Sequence, residues 1–248
     1  MTTHTHQTAP TQYVEAKGIR FAYRRFGKAG ISSSSGEVPN TIEGMAADAA
    51  AFIKALGLRQ VDLLGFSIGG TVTQALTLAE PQLVRRLALV GTGPRSGEGM
   101  ATLTPEAQRI FGKSYASPDE LWQHVHFDAT ETSQAAGAAF LKRFRLRREN
   151  RDPEVNAKVA PAQIQALSKW GAPRENPYEY LNAIEQPTLV INGDHDVIIY
   201  TINSYILQQN IPNAQLILYP DASHGSLYQY PERFVRHVSM FLSEETVA

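Results

Sequence analysis

The stretch Val61-Asp-Leu-Leu-Gly-Phe-Ser-Ile-Gly-Gly70 decides the fold of this 248-residue chain. Residues 61–64 form a short apolar run typical of a buried strand, and residues 65–69 match the pattern G-x-S-x-G. A helix is predicted from about residue 68 to residue 80, where Pro81 ends it. This context places the serine on a tight strand-to-helix turn, with its hydroxyl beside the positive helix N-terminus. The stretch therefore predicts an exposed nucleophile, Ser67.

The pattern of strands and helices continues on both sides of this stretch. A second apolar run at 87–90 follows the helix, and strand, helix and strand within about 30 residues form a βαβ unit with parallel strands. Further strand-like runs lie at 188–191 and 216–219, and an alternating pattern at 13–25 predicts an opening hairpin. The expected fold class is α/β, with a mostly parallel, doubly wound sheet.

Residues 95–183 differ in pattern and composition from the segments around them: they contain helical patterns, many aromatic residues and no strand-like run. We interpret them as a helical cap inserted between strands, over a core formed by 13–94 and 184–248, with 1–12 as a flexible tail. A cap above the serine would line an apolar pocket. The side chains expected to contact substrate are Phe66, Trp122, Phe140, Phe144 and Trp170.

Composition excludes several classes of function. The net charge of −1 argues against a nucleic-acid partner, and the absence of cysteine excludes a thiolate nucleophile, a disulfide scaffold and a cysteine metal site. No apolar stretch approaches the ~18 residues that span a bilayer, and the N-terminus lacks a signal-peptide pattern, so we expect no membrane partner and a cytoplasmic location. The pairs His4/His6 and His124/His126 have no further ligands nearby in sequence, so no metal is expected.

A serine needs a base, and the base needs an acid that orients it. The sequence Gly193-Asp-His-Asp196 follows the run at 188–191, and a loop ending in His224 follows the run at 216–219. Both loops leave the carboxyl ends of predicted strands, where parallel sheets place their ligands. His224 is the candidate base, and Asp196 or Asp194 is the candidate acid.

With these motifs the chain resembles the α/β-hydrolase fold family, closest to small cofactor-free serine esterases and non-haem haloperoxidase or perhydrolase-like members. The resemblance implies that Ser67 is the nucleophile, His224 the base and Asp196 the acid, with Asp194 as second choice. It implies that the amide of Ile68 donates to the oxyanion. No cofactor is implied.

The activity that the resemblance implies is cleavage of a small apolar ester or lactone through an acyl-enzyme, with a perhydrolase side activity. Two alternatives stay open: a C–C bond hydrolase with the same three residues, and a catalytically silent protein that binds a ligand.

One segment of this family's pattern is missing. Residues 26–39 contain neither an apolar strand nor a His-Gly oxyanion loop, so about 40–50 residues are skipped near Lys28–Ala29 by comparison with relatives. We expect a Gly/Ser-rich loop at 29–35 and an unpaired edge on the strand at 61–66.

The missing segment is either a true deletion or an omission from the sequence. We expect an omission, because so large a core deletion exceeds the ~5–15 kcal/mol of stability that a domain has. Lys28 and Ala29 would then lie farther apart than the roughly 3.8 Å of a trans peptide. The second oxyanion donor and the oligomeric state are left open by the sequence.

Overall fold

A computed structural model describes residues 8–26, 29–34, 38–146 and 157–244, with only the backbone described at 25–26 and 29–34. The strands are β1 (Thr11–Ala16), β2 (Ile19–Phe26), β3 (Ala29–Ser34), β4 (Val61–Phe66), β5 (Val84–Val90), β6 (Thr188–Gly193) and β7 (Ala214–Tyr219). The helices are α1 (Ile42–Ala55), α2 (Ile68–Ala79), α3 (Pro105–Gly112), α4 (Pro118–His126), α5 (Glu131–Phe144), α6 (Val159–Gly171), α7 (Ile202–Asn210), α8 (Ser226–Gln229) and α9 (Pro231–Ser243).

Strands β4 to β7 form a parallel sheet in the order β4-β5-β6-β7. Helices cover both faces of this sheet, as the expected fold class requires. On one face α1, α2 and α7 bury a large apolar cluster that includes Leu76, Leu87 and Leu207. On the other face Phe234 and Phe241 of α9 pack against a second cluster. Because the four strands are parallel, their carboxyl ends meet at one edge of the sheet.

The N-terminal hairpin belongs to a second, antiparallel sheet of order β1-β2-β3. It packs on α1, with the rings of Phe21 and Tyr23 centred 5.3 and 5.8 Å from the ring of Phe52. Strand β1 begins at Thr11, inside the segment 1–12 that we expected to be a flexible tail, and Ala9 is buried. That expectation is wrong for residues 11–12, which pair with β2, and for Ala9, which is buried; residues 1–7 lie outside the described residues.

Residues 29–34 are a strand and not the expected Gly/Ser-rich loop. Phe26 lies opposite Ala29 in the β2–β3 pair, which is antiparallel. A β ladder uses only backbone groups, and serine and glycine can therefore pair without apolar side chains. Lys28 lies outside the described residues, so the expected Lys28–Ala29 separation stays a prediction.

Among the described strands, β4 has a neighbour on one side only, which makes it the edge of the parallel sheet. Leu64 of this strand is 48% exposed. The expected unpaired edge on the strand at 61–66 is thus present. The additional strand β3 does not cover it, because β3 pairs with β2 in the other sheet. No helix within the described ranges is long and apolar enough to cross a membrane.

The described parts of 95–183 contain no strand, and their helices begin at clear sequence signals. Thr104, Ser117 and Thr130 each accept a hydrogen bond from a backbone N–H three residues further on, and Pro105 and Pro118 open α3 and α4. Such caps satisfy donors that the first turn of a helix leaves free.

The expected cap does not hold together as one unit, because α6 belongs to the core. Ala166 and Trp170 of α6 are buried in the same cluster as Leu76 of α2. The indole N–H of Trp170 donates to the carbonyl of Gly93 at 3.4 Å. Among the helices described within 95–183, α3 to α5 stand apart from this packing. Some of the aromatic residues whose number predicted a cap over 95–183 are therefore core residues.

The packing of α6 generates a prediction about Gly171. A Cβ on Gly171 would lie 2.2 Å from the backbone carbonyl carbon of Met100 and 2.2 Å from the amide nitrogen of Ala101. Because backbone cannot move aside cheaply, we expect Gly171→Ala to lower the free energy of unfolding by about 1–3 kcal/mol. Urea denaturation followed by circular dichroism measures this change.

Gly112→Ala is the matched control, because nothing lies within 4 Å of the Cβ position at this helical glycine. The urea concentration at the midpoint of its unfolding should stay within experimental error of that of the parent or rise slightly. Equal effects of the two substitutions would contradict the placement of α6 in the core.

Candidate active site

Ser67 lies at a strained turn between β4 and α2. Its φ is 55° and its ψ is −125°, a conformation that a non-glycine residue adopts only under constraint. Its N–H donates to the carbonyl of Val90 at 2.9 Å, and its carbonyl accepts from Gly70 at 2.9 Å. A hydroxyl on such a turn projects from the carboxyl end of the sheet. The amide of Ile68 is the first of α2, where helical N–H groups have no partner within the helix.

Two glycines, Gly65 and Gly70, make this turn possible. A Cβ on Gly65 would lie 2.3 Å from the carbonyl oxygen of Gly69, and a Cβ on Gly70 would lie 2.4 Å from Thr92. Nothing lies within 4 Å of the Cβ position of Gly69. The close approach of strand and helix therefore depends on Gly65 and Gly70 and not on the second glycine of the G-x-S-x-G pattern.

The structure brings Ser67, His224 and Asp196 together in one hydrogen-bonded chain. His224 Nε2 lies 3.0 Å from Ser67 Oγ, and His224 Nδ1 lies 2.9 Å from Asp196 Oδ2. A carboxylate accepts, so Nδ1 carries the ring proton and Nε2 presents a lone pair to the Ser67 hydroxyl. The imidazole is thereby oriented to take a proton from the serine.

Asp196 is held on both oxygens. Its Oδ1 accepts from the amides of Ile198 and Ile199 at 2.9 and 3.0 Å, while its Oδ2 faces His224. Its own amide donates to Thr201 Oγ1 at 3.0 Å. The side chain is fully buried, and these bonds fix the carboxylate at the orientation that His224 requires.

Asp194 and His195 point elsewhere. Asp194 is exposed and accepts from the amide of Ala222 at 3.3 Å, so it does not contact the ring of His224. His195 Nδ1 lies 2.5 Å from Asp128 Oδ2, and this hydrogen bond raises the pKa of His195. Of the two acids that the sequence left open, only Asp196 is in place beside His224.

Aromatic rings form a wall beside His224. The ring of Phe66 is centred 4.9 Å from the ring of His224 and 5.5 Å from the ring of Tyr228. Phe140 of α5 stacks on Tyr228 at 4.4 Å. His126 joins the same group, at 5.9 Å from His224. Sequence reasoning missed Tyr228 and His126 as neighbours of the site; Tyr228 follows His224 by one helical turn, a spacing that could have identified it.

Trp122 and Phe144 continue this wall toward solvent, whereas Trp170 does not reach it. Trp122 is 46% exposed and stacks on His126 at 4.7 Å, and Phe144 is 55% exposed and lies 6.3 Å from Trp122. Trp170 is only 2% exposed, within the core. The expectation that Trp170 contacts substrate is wrong, because its packing against α2 leaves almost no surface free.

A cleft of about 550 Å³ lies beside the loop that carries Asp196. Phe127, His195, Val197 and Ser223 are among its lining residues. None of the side chains that we expected to contact substrate lines this cleft. It is therefore separate from the aromatic wall beside His224.

The loop that carries His224 is tied to α4 and α5. Gly225 donates to the carbonyl of His126 at 2.7 Å, and Gln229 accepts from the hydroxyl of Ser133 at 2.7 Å. The hydroxyls of Thr132 and Thr130 donate to Asp221 and hold the pKa of that carboxyl below its usual range. These bonds tie the segment around His224 to α4 and α5. Within the described residues, no group of three His, Asp or Glu side chains is arranged to hold a metal ion.

Comparisons with known proteins agree with this architecture. The family model described as alpha/beta hydrolase fold matches residues 26–231. The chain is 31% identical over 200 residues to 2-hydroxymuconate semialdehyde hydrolase of Pseudomonas putida, covering 77% of this chain and 66% of that protein. It is 31% identical over 179 residues to pimeloyl-[acyl-carrier protein] methyl ester esterase of Nitrosomonas europaea, covering 69% and 67%. The chain thus spans about two thirds of the length of these relatives.

Solved structures show the same fold. An alpha/beta hydrolase fold protein from Chitinophaga pinensis superposes with a TM-score of 0.91 at 33% identity, over 98% of this chain and 100% of that one. A meta-cleavage product hydrolase from Pseudomonas fluorescens IP01 superposes with a TM-score of 0.70 at 15% identity, over 93% and 97% of the two chains. With the family model matching most of its length, this chain belongs to the α/β-hydrolase fold family.

Proposed function

We propose that this chain is a serine hydrolase that cleaves a carboxylic ester or lactone through an acyl-enzyme. The observation that carries the proposal is the chain of hydrogen bonds from Ser67 through His224 to Asp196, on a strained turn at the carboxyl edge of the sheet. Nucleophile, base and orienting acid in this arrangement are the parts that acyl transfer needs.

In the proposed first step, Ser67 Oγ attacks the carbonyl carbon while its proton moves to His224 Nε2. The oxyanion that forms accepts from the amide of Ile68, beside the positive end of α2. The C–O bond to the alcohol then breaks, and His224 gives its proton to the leaving oxygen. Asp196 stabilises the charged ring throughout, since its Oδ2 lies 2.9 Å from Nδ1.

The second step reverses these roles with water. His224 takes a proton from the water that attacks the acyl carbon, and Ser67 leaves with that proton as the acid is released. The rings of Phe66, Phe140 and Tyr228 would pack against an apolar acyl or alcohol group beside His224. No cofactor enters either step.

A C–C bond hydrolase with the same three residues is the second candidate. It is supported by the 31% identity to 2-hydroxymuconate semialdehyde hydrolase. We favour an ester because an alcohol leaves once His224 has protonated it, whereas a carbon leaving group needs further stabilisation of negative charge. The amide of Ile68 is the donor that the proposal assigns to the oxyanion, and an ester does not require a second charge to be stabilised on the leaving group.

The proposed roles predict the effect of removing each group. With p-nitrophenyl butyrate as substrate, we expect Ser67→Ala to lower kcat/KM by at least about 10³-fold and Asp196→Asn by about 10²–10⁴-fold. The asparagine keeps the shape of the side chain but favours the wrong tautomer of His224. Initial rates of p-nitrophenolate release measure both effects.

Asp194→Asn is the matched control, because Asp194 sits in the same loop but does not contact His224. Its kcat/KM should stay within about threefold of the parent. A full rate in Ser67→Ala would contradict the proposed nucleophile. Absence of turnover in the parent chain with a panel of esters and lactones would favour the silent, ligand-binding alternative.

The two candidate reactions predict opposite preferences. We expect the chain to hydrolyse small esters faster than 2-hydroxy-6-oxohexa-2,4-dienoate, with both rates abolished in Ser67→Ala. Loss of dienoate absorbance, measured beside ester hydrolysis at the same pH, gives the ratio of kcat/KM values. A ratio that favours the dienoate would overturn the ester assignment in favour of the C–C bond hydrolase.

A further inference from the structure

His126 is a second histidine beside the candidate base, and the proposed chemistry does not use it. It is the last residue of α4, and its ring lies 5.9 Å from the ring of His224 and 6.0 Å from the ring of Phe66. Trp122 stacks on it at 4.7 Å with an angle of 6° between the planes, and Tyr228 lies 5.6 Å away. The imidazole is therefore a polar ring within an otherwise aromatic wall.

The tautomer of His126 follows from its contacts. Nδ1 lies 2.8 Å from the carbonyl oxygen of Trp122, which can only accept, so Nδ1 carries the proton. Burial and the nearby His224 lower the pKa of His126 to about 4, which keeps the ring neutral at physiological pH. Nε2 therefore presents a lone pair and can only accept a hydrogen bond.

Nε2 has no protein partner among the described residues. Within the described part of the chain, the hydrogen bond of the His126 ring is the one from Nδ1 to the carbonyl of Trp122. The buried polar side-chain atoms that lack a partner lie elsewhere in the described chain, for example on Thr92 and Ser226, so Nε2 is not sealed off. An acceptor that is open but set among apolar rings discriminates between ligands, because an apolar group placed against it leaves it unsatisfied.

We propose that His126 is a specificity-determining residue that accepts a hydrogen bond from a hydroxyl on the acyl chain of the substrate. The inference rests on the proposed function, which places the acyl carbon on Ser67 Oγ, 3.0 Å from His224 Nε2. The first carbons of the acyl chain then lie near the His224 ring, which His126 adjoins. The substrate class is esters of 2- or 3-hydroxy acids.

Two pairs of matched esters test this inference. Methyl 2-hydroxypropanoate is compared with methyl 2-methylpropanoate, and methyl 3-hydroxybutanoate with methyl 3-methylbutanoate, so that a methyl group replaces each hydroxyl. Hydrolysis is followed by titration of the released acid at constant pH. The measured quantity is the ratio of kcat/KM for the hydroxy ester to that for its partner, compared between variants so that intrinsic ester reactivity cancels.

His126→Phe keeps a ring against Trp122 but removes the acceptor. We expect the ratio to fall about tenfold in at least one ester pair, the size of one lost hydrogen bond. His126→Gln should restore most of the ratio, because its side-chain oxygen is separated from Cγ by the same number of bonds as Nε2. A merely structural role would lower both rates together and leave the ratio unchanged.

His124→Phe is the matched control on the same helix. In the parent chain, Nδ1 of His124 also bonds to a carbonyl one turn back, that of Glu120 at 2.8 Å. The ring of His124, however, lies against Tyr115 and lines the separate cleft. Its ratio should equal that of the parent. A drop equal to that of His126→Phe would overturn the assignment to His126.

The outcomes separate the inference from the proposed function. Ser67-dependent hydrolysis of both esters in each pair, with ratios that do not respond to His126→Phe, overturns the role of His126 and leaves the hydrolase proposal standing. Failure to hydrolyse any of the four esters, while p-nitrophenyl butyrate is still turned over in a Ser67-dependent way, overturns the inference alone. Hydrolysis that survives Ser67→Ala, or failure on p-nitrophenyl butyrate and the ester panel as well, overturns the proposed function and the inference with it.

Discussion

The strained turn at Ser67 is the constraint on which the rest of the structure depends. A serine at a φ of 55° persists only where its surroundings over-determine it, and here the sheet and α2 approach so closely that Gly65 and Gly70 admit no Cβ. The bond from the Ser67 amide to the carbonyl of Val90 anchors the turn to β5. The strain is offset by the packing of the parallel sheet, whose carboxyl edge it points toward.

His224, the proposed base, is held by contacts from the loop after β6 and from helices α4 and α5. Asp196 fixes one nitrogen of His224 from the β6 loop, while hydrogen bonds from α4 and α5 reach Asp221 and Gly225 on either side of the histidine. A Cβ on Gly225 would lie 2.6 Å from the carbonyl oxygen of His126, so this contact is backbone against backbone. Helices α4 and α5 therefore help to position His224 as well as to shape the aromatic wall beside it.

Sequence alone could predict the fold class and the residues that meet at the sheet edge, because Ser67, Asp196 and His224 each follow an apolar run that marks its own strand. It could not predict β3, since a Ser/Gly strand pairs through its backbone and leaves no alternation of side chains. It misplaced Trp170, because an aromatic residue on a helix has the same pattern whether it packs inward or lines a pocket. The sequence indicates no role for His126 beyond a poor metal ligand, because its neighbours Phe66 and His224 are distant in sequence and only folding brings them together.

One of the two tryptophans is buried and the other is partly exposed, which gives the molecule a pair of intrinsic fluorescent probes. Trp170 is sealed in the core beside α2, so its emission reports whether that packing is intact. Trp122 stacks on His126 at the outer end of the aromatic wall, so its emission senses what occupies that surface. A variant that retains only Trp170 would report unfolding, and a variant that retains only Trp122 would report ligand entry. The two events could then be timed separately without an added dye.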